Sequence, residues 1–108
     1  MSLVRHGANA QAIQDSVKEI VESAGLQQYW HSYLTGHGVG TGFAPYEQPI
    51  IGSRMGFMKE LKAGMVIAFE PGIFRPGVGP VRVEEMVLTT ENGYELLTRM
   101  PYDDRLLE

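Results

Sequence analysis

The 108-residue sequence contains no cysteine, which excludes a disulfide framework and any zinc-thiolate site. Cationic residues are scarce, nine Lys and Arg against thirteen Asp and Glu, for a formal charge of -4. Neutralising phosphates needs clustered cations, and these nine are scattered, so nucleic acid is excluded as a partner. No apolar run approaches the roughly 20 residues needed to cross a bilayer, and the N-terminus lacks the apolar core of a secretory signal. A membrane segment is not expected, and a cytoplasmic location is the default. What is present, 44% apolar and 20% charged residues, is ordinary for one globular unit of this length. Met1-Ser2-Leu3 and Leu107-Glu108 read as vector-derived residues of an engineered or truncated chain, leaving 4–106 as the folding unit.

The clearest periodicity is helical. Ile13, Val17, Ile20, Val21 and Ala24 recur at steps of three and four, predicting a helix over 9–24 with one apolar stripe. Asn9 can cap its start and Gly25 can end it. Residues 26–34 follow neither period and are expected to be irregular, with at most a short strand. Glycine and proline crowd 36–56, which predicts a shaped loop whose backbone bends unusually or approaches something closely. Residues 58–63 suit a helical turn. Met65-Val-Ile-Ala-Phe-Glu70 reads as a buried strand stopped by Pro71-Gly72, and 76–80 as a turn. Residues 81–90 and 95–99, joined through Asn92-Gly93, predict a β-hairpin.

Three chemically active side chains stand out. His37 lies in Gly36-His37-Gly38-Val39-Gly40, where neighbours without bulk let an imidazole nitrogen approach an ion or ligand; a histidine bonded to nearby backbone is the competing reading. Glu70 follows an apolar strand, on the face of Val66 and Ala68. A carboxylate there is costly to desolvate unless a metal ion or an Arg meets it. In Val81-Arg82-Val83-Glu84-Glu85-Met86 the adjacent acids face opposite ways, with Glu84 on the side of Arg82 and Met86. Glu85 reads as solvent-facing or ion-paired. An imidazole with two carboxylates suits Mn, Fe, Co or Zn, with no soft sulfur donor to favour copper.

In their order, Gly36-His-Gly-Val-Gly40, Leu61-Lys-Ala-Gly-Met-Val-Ile-Ala-Phe-Glu-Pro-Gly-Ile73, Val81-Arg-Val-Glu-Glu-Met-Val-Leu-Thr-Thr-Glu-Asn-Gly93 and the tail Glu95-Leu-Leu-Thr-Arg99 resemble the second half of the pita-bread metallopeptidases, the group of aminopeptidase P, prolidase and methionine aminopeptidase. The resemblance implies an α+β fold, one main helix packed on a curved antiparallel sheet. It also implies a two-metal hydrolase of peptide bonds, nearest the Xaa-Pro peptidase and dipeptidase branch. By that resemblance His37 binds one ion, Glu70 binds the same ion and exchanges a proton with the nucleophile, and Glu84 bridges both ions. The family's other two ligands are aspartates from its first half; Asp15, Asp103 and Asp104 match neither context. With those two ligands missing, this chain alone is expected to hold metal weakly or not at all and to be inactive.

Two positions depart from the family. A substrate-binding histidine seven residues after the ligand histidine is replaced by Ala44, and one four residues before it by Tyr33. Tyr33 remains a candidate substrate contact through its hydroxyl. These departures admit two alternatives, a creatinase-like hydrolase of another small amide or C–N bond and a metal-free binding module. His6 and His31 match neither position and read as exposed or locally bonded. Because the two halves of the fold share a sheet, the expected partners are the missing N-terminal half or a second copy, or else 36–56 is partly disordered.

Overall fold

The computed structural model describes residues 1–31, 33–40, 48–53, 56, 58–99, 101 and 103. Among these residues the α-helix α1 spans Ala10–Ser23. Asn9 holds extended backbone, and its side-chain oxygen accepts from the amides of Gln11 at 2.8 Å and Ala12 at 3.4 Å. Two of the amides that no helical carbonyl can reach are satisfied in this way. The helix stops at Ala24, and Gly25 takes φ +68°, a left-handed turn open to glycine. The buried face is Ala10, Ile13, Gln14 and Val21. The predicted stripe is therefore rotated: Ile20 is 66% exposed, and Gln14 is buried instead.

After a 3-10 turn at Gln27–Tyr29 the described residues form the strands β1 Gly36–Val39, β2 Ile50–Ile51, β3 Val66–Phe69, β4 Gly72–Arg75, β5 Gly79–Arg82, β6 Glu85–Thr89 and β7 Tyr94–Leu96. Five form an antiparallel sheet in the order β2-β1-β3-β6-β7, and β4 with β5 makes a separate two-stranded ribbon. The central strand β3 is the apolar run predicted from the sequence. It pairs Ala68 with His37 on one side and with Met86 on the other.

Several expectations change. The glycine-rich stretch carries two ladder strands, β1 and β2, and the notion of a continuous loop over 36–56 falls; residues 41–47, including Ala44, lie outside the described residues. Gly36, Gly38 and Gly52 serve close backbone approach. A Cβ at Gly38 would collide with the Gln48 carbonyl, because that amide is drawn in to hydrogen-bond Pro49 O at 2.9 Å. Residues 58–63 form no helical turn: Asn9 bridges Glu60, and Leu61 bonds Ala8 through its amide and drops its side chain into the core. The expected strand over 81–90 breaks at Val83-Glu84, passing from the ribbon into the main sheet. Strands β6 and β7 form the predicted hairpin, closed by Thr90 N donating to Gly93 O at 2.8 Å.

Alternation and register give the sheet two unlike faces. Ile51, Ile67, Phe69 and Val87 point to the α1 side and join Val4, Ala8, Ala10, Ile13 and Leu61 in one core. Ile51, Leu61, Ile67 and Val87 are completely buried, each contributing about 1.5–3 kcal/mol by removal from water. His37, Ala68 and Met86, aligned across three strands, occupy the other face. Outside the core, Val39, Phe74, Val78, Val81 and Leu96 remain exposed.

Candidate functional site

His37 and Glu70 meet on the face turned away from α1. His37 stands opposite Ala68, and Glu70 lies two residues beyond Ala68, still held to the ladder by its amide donating to Thr35 O at 2.8 Å. They are therefore diagonal neighbours across adjacent strands, a separation that long side chains can close. His37 Nε2 lies 3.5 Å from Glu70 Oε1, with the two side chains 17% and 9% exposed. His37 Nδ1 donates to Gly38 O at 2.8 Å. In the neutral imidazole that bond leaves the lone pair on Nε2, the nitrogen turned toward Glu70.

The other oxygen, Glu70 Oε2, accepts from Arg82 Nη1 at 2.7 Å. This is the distance of a charge-assisted hydrogen bond, and it answers the cost of burying a carboxylate. Arg82 reaches Glu70 because β4 folds back into β5, setting Arg82 opposite Gly72, two residues past Glu70. The ribbon is tied to the chain before β1 by the Trp30 to Ile73 bridge and by His31 N donating to Gly72 O at 3.0 Å.

Glu84 is exposed in the two-residue break between β5 and β6. Among the described residues, no group of three or more His, Asp or Glu is close enough to share an ion. The structure thus joins His37 with Glu70 and leaves Glu84 outside that pair. Tyr33 is 55% exposed, its ring 5.3 Å from that of His31. Glu85 turns from the site and accepts a hydrogen bond from Thr98 Oγ1, which itself accepts from the Met86 amide at 3.1 Å. His6 is exposed, as expected, and its Nδ1 accepts from the amide of Ala63, far along the chain.

The donor pair fits a divalent ion. Two nitrogen or oxygen donors, each about 2.1 Å from one ion, are about 3.4 Å apart at a tetrahedral angle, and His37 Nε2 and Glu70 Oε1 are 3.5 Å apart. The sequence reading missed Arg82 as the partner of Glu70. The signal was the buried acid's need for a cation; what it lacked was the fold-back that brings a residue twelve positions away into contact.

Residues 1–91 match metallopeptidase family M24. An uncharacterized peptidase of Staphylococcus epidermidis is 41% identical over 96 residues, covering 89% of this chain and 26% of that protein. The Xaa-Pro dipeptidase of Pyrococcus furiosus is 41% identical over 93 residues, covering 86% of this chain and 25% of that one. Among solved structures, the X-Pro aminopeptidase of Thermotoga maritima superposes with a TM-score of 0.80 at 28% identity, over 94% of this chain and 27% of the other. The chain spans about a quarter of the length of these relatives. The helix-on-antiparallel-sheet arrangement is α+β, as expected, and superposes on part of a pita-bread M24 structure.

Proposed function

This chain belongs to metallopeptidase family M24, and on that premise we propose that it supplies His37, Glu70 and Glu84 to the metal centre of a hydrolase that cuts peptide bonds at proline. The observation that carries the reading is the pairing of His37 Nε2 with Glu70 Oε1 at 3.5 Å on the face of the sheet turned from α1. The nitrogen and oxygen donors suit Mn, Co, Zn or Fe. Bound divalent ions supply polarisation of the scissile carbonyl and a nucleophile at neutral pH.

The protein's own groups have distinct tasks in this proposal. His37 binds through Nε2, its ring fixed by the Nδ1 bond to Gly38 O. Glu70 binds through Oε1 and passes a proton between the attacking water and the leaving amine. Glu84, between β5 and β6, is the third ligand this chain would contribute. The substrate class comes from the likeness to an Xaa-Pro dipeptidase and an X-Pro aminopeptidase. Because the chain spans a quarter of their length, the activity is assigned to a protein that also carries the complementary ligands, and the 108-residue chain by itself is expected to be inactive.

The test is release of proline from Xaa-Pro dipeptides in the presence of Mn2+ or Co2+, comparing the product of the complete coding sequence with the 108-residue chain. Turnover by the complete protein and none by the chain is expected. If the complete protein cuts only a small cyclic amide or a creatine-like C–N bond, the Xaa-Pro assignment gives way to the creatinase-like one, for which Tyr33, 55% exposed beside His31, is the supporting residue. Failure to turn over any such compound leaves the binding-module reading.

A further inference from the structure

We propose that Arg82 is a positioning residue for the His37 and Glu70 pair: by holding Glu70 Oε2 it makes Oε1 the one oxygen presented to an ion shared with His37. The proposal rests on the metal-centre reading above. A carboxylate beside an ion can bind through either oxygen or through both, and can rotate between these modes. Arg82 removes that freedom. Its Nη1 lies 2.7 Å from Oε2, while Oε1 lies 3.5 Å from His37 Nε2. The imidazole is fixed in the same manner from its far side, Nδ1 donating to Gly38 O at 2.8 Å. Both donors are thus oriented by groups that do not themselves bind an ion, the arrangement that sets ligand geometry in metal proteins.

The placement of Arg82 supports this role over a purely structural one. Its side chain is 49% exposed and so contributes little to the core. The guanidinium arm crosses β4 at Gly72, where an added Cβ would lie 3.5 Å from Arg82 Nε. That crossing brings a cation from the two-stranded ribbon to a carboxylate at the end of the central strand of the main sheet.

A competing effect has the opposite sign. A guanidinium next to a metal ligand repels an incoming cation, so if charge alone mattered, removing Arg82 would tighten metal binding. Positioning predicts that removal weakens it. Arg82→Met deletes both the charge and the planar fork while keeping side-chain length, whereas Arg82→Lys keeps the charge and loses the fork.

Co2+ titration of the product of the complete coding sequence, followed by calorimetry, by the visible absorption of the bound ion and by NMR of the His37 ring, tests the proposal without any activity readout. Far-UV circular dichroism confirms that each variant is folded. We expect Co2+ affinity to fall by about tenfold or more in Arg82→Met, with a changed visible spectrum as Glu70 takes up a different binding mode, and to fall less in Arg82→Lys. Unchanged or tighter binding in Arg82→Met, with His37 still responding, overturns the positioning role and leaves the metal centre standing. If Arg82→Met does not fold, Arg82→Lys decides: a wild-type affinity and spectrum there overturn the proposal. If Co2+ leaves the wild-type His37 signal unchanged up to millimolar concentration, the metal-centre reading fails and the proposal with it.

Discussion

Replacing Gly38 by Ala tests how the glycine-rich strand holds the candidate site. The added Cβ would collide with the carbonyl oxygen of Gln48 and sit 2.6 Å from its carbon. Both are backbone atoms and cannot swing aside. Restoring an ordinary carbon-carbon separation of about 3.5 Å requires a shift of about 0.9 Å between β1 and the segment leading into β2. The hydrogen bond from Gly38 N to Pro49 O, now 2.9 Å, would then exceed hydrogen-bonding range. Overpacking costs about 1–3 kcal/mol and the lost bond about 1 kcal/mol, offset by about 0.4–1 kcal/mol from the stiffer unfolded chain. The net loss is about 1–3.5 kcal/mol, and the expected fall in Tm is about 4 °C or more for a domain of this size. Thermal and urea unfolding followed by circular dichroism measures it. Gly93→Ala is the control, since nothing lies within 4 Å of its added Cβ and its φ is not positive. A Gly38→Ala protein within 0.5 kcal/mol of wild type, or a larger loss in Gly93→Ala, would refute the close-approach argument.

Two further substitutions probe the helix and the core. Asn9→Ala removes the acceptor for two helix amides and is expected to cost about 1 kcal/mol, whereas Ile20→Ser, on a side chain 66% exposed, is expected to stay within about 0.5 kcal/mol; equal losses in urea melts would restore the stripe inferred from periodicity. Leu61→Ala, at a fully buried position in the core, is expected to cost about 2–5 kcal/mol, and a loss below 1 kcal/mol by the same measurement would place Leu61 outside the cooperative core.

Where the sequence pattern is local, the fold was legible. Asn9 and Gly25 bracket α1 as their side-chain and backbone chemistry dictates, the Met65 to Glu70 run supplies β3, and Asn92-Gly93 lies in the turn between β6 and β7. Where the determinant is a distant strand, it was not. Nothing between Gly36 and Gly40 reveals that β3 will lie alongside, so a ladder strand looks like a loop; Ile20 looks buried until the sheet fixes which side of α1 it covers. The candidate site divides the same way. His37 and Glu70 were visible because a histidine among glycines and an acid at the end of an apolar strand are locally anomalous. Their 3.5 Å separation and the arrival of Arg82 depend on cross-strand register and on the ribbon's fold-back, which no single segment encodes.

The two unlike faces of the sheet bear on how substitutions along its strands would be tolerated. In β3, Ile67 and Phe69 look toward α1, while Ala68 and then Glu70 look toward His37 and Arg82. Neighbouring positions on one strand therefore answer to different demands, one to the interior and the next to the site. A scan of every residue from Val66 to Glu70 would read as two interleaved records, alternating one by one between proteins that melt early and proteins that fold but hold their ligand poorly. The period of the pleat, two residues, becomes the period at which stability and function trade places along the chain.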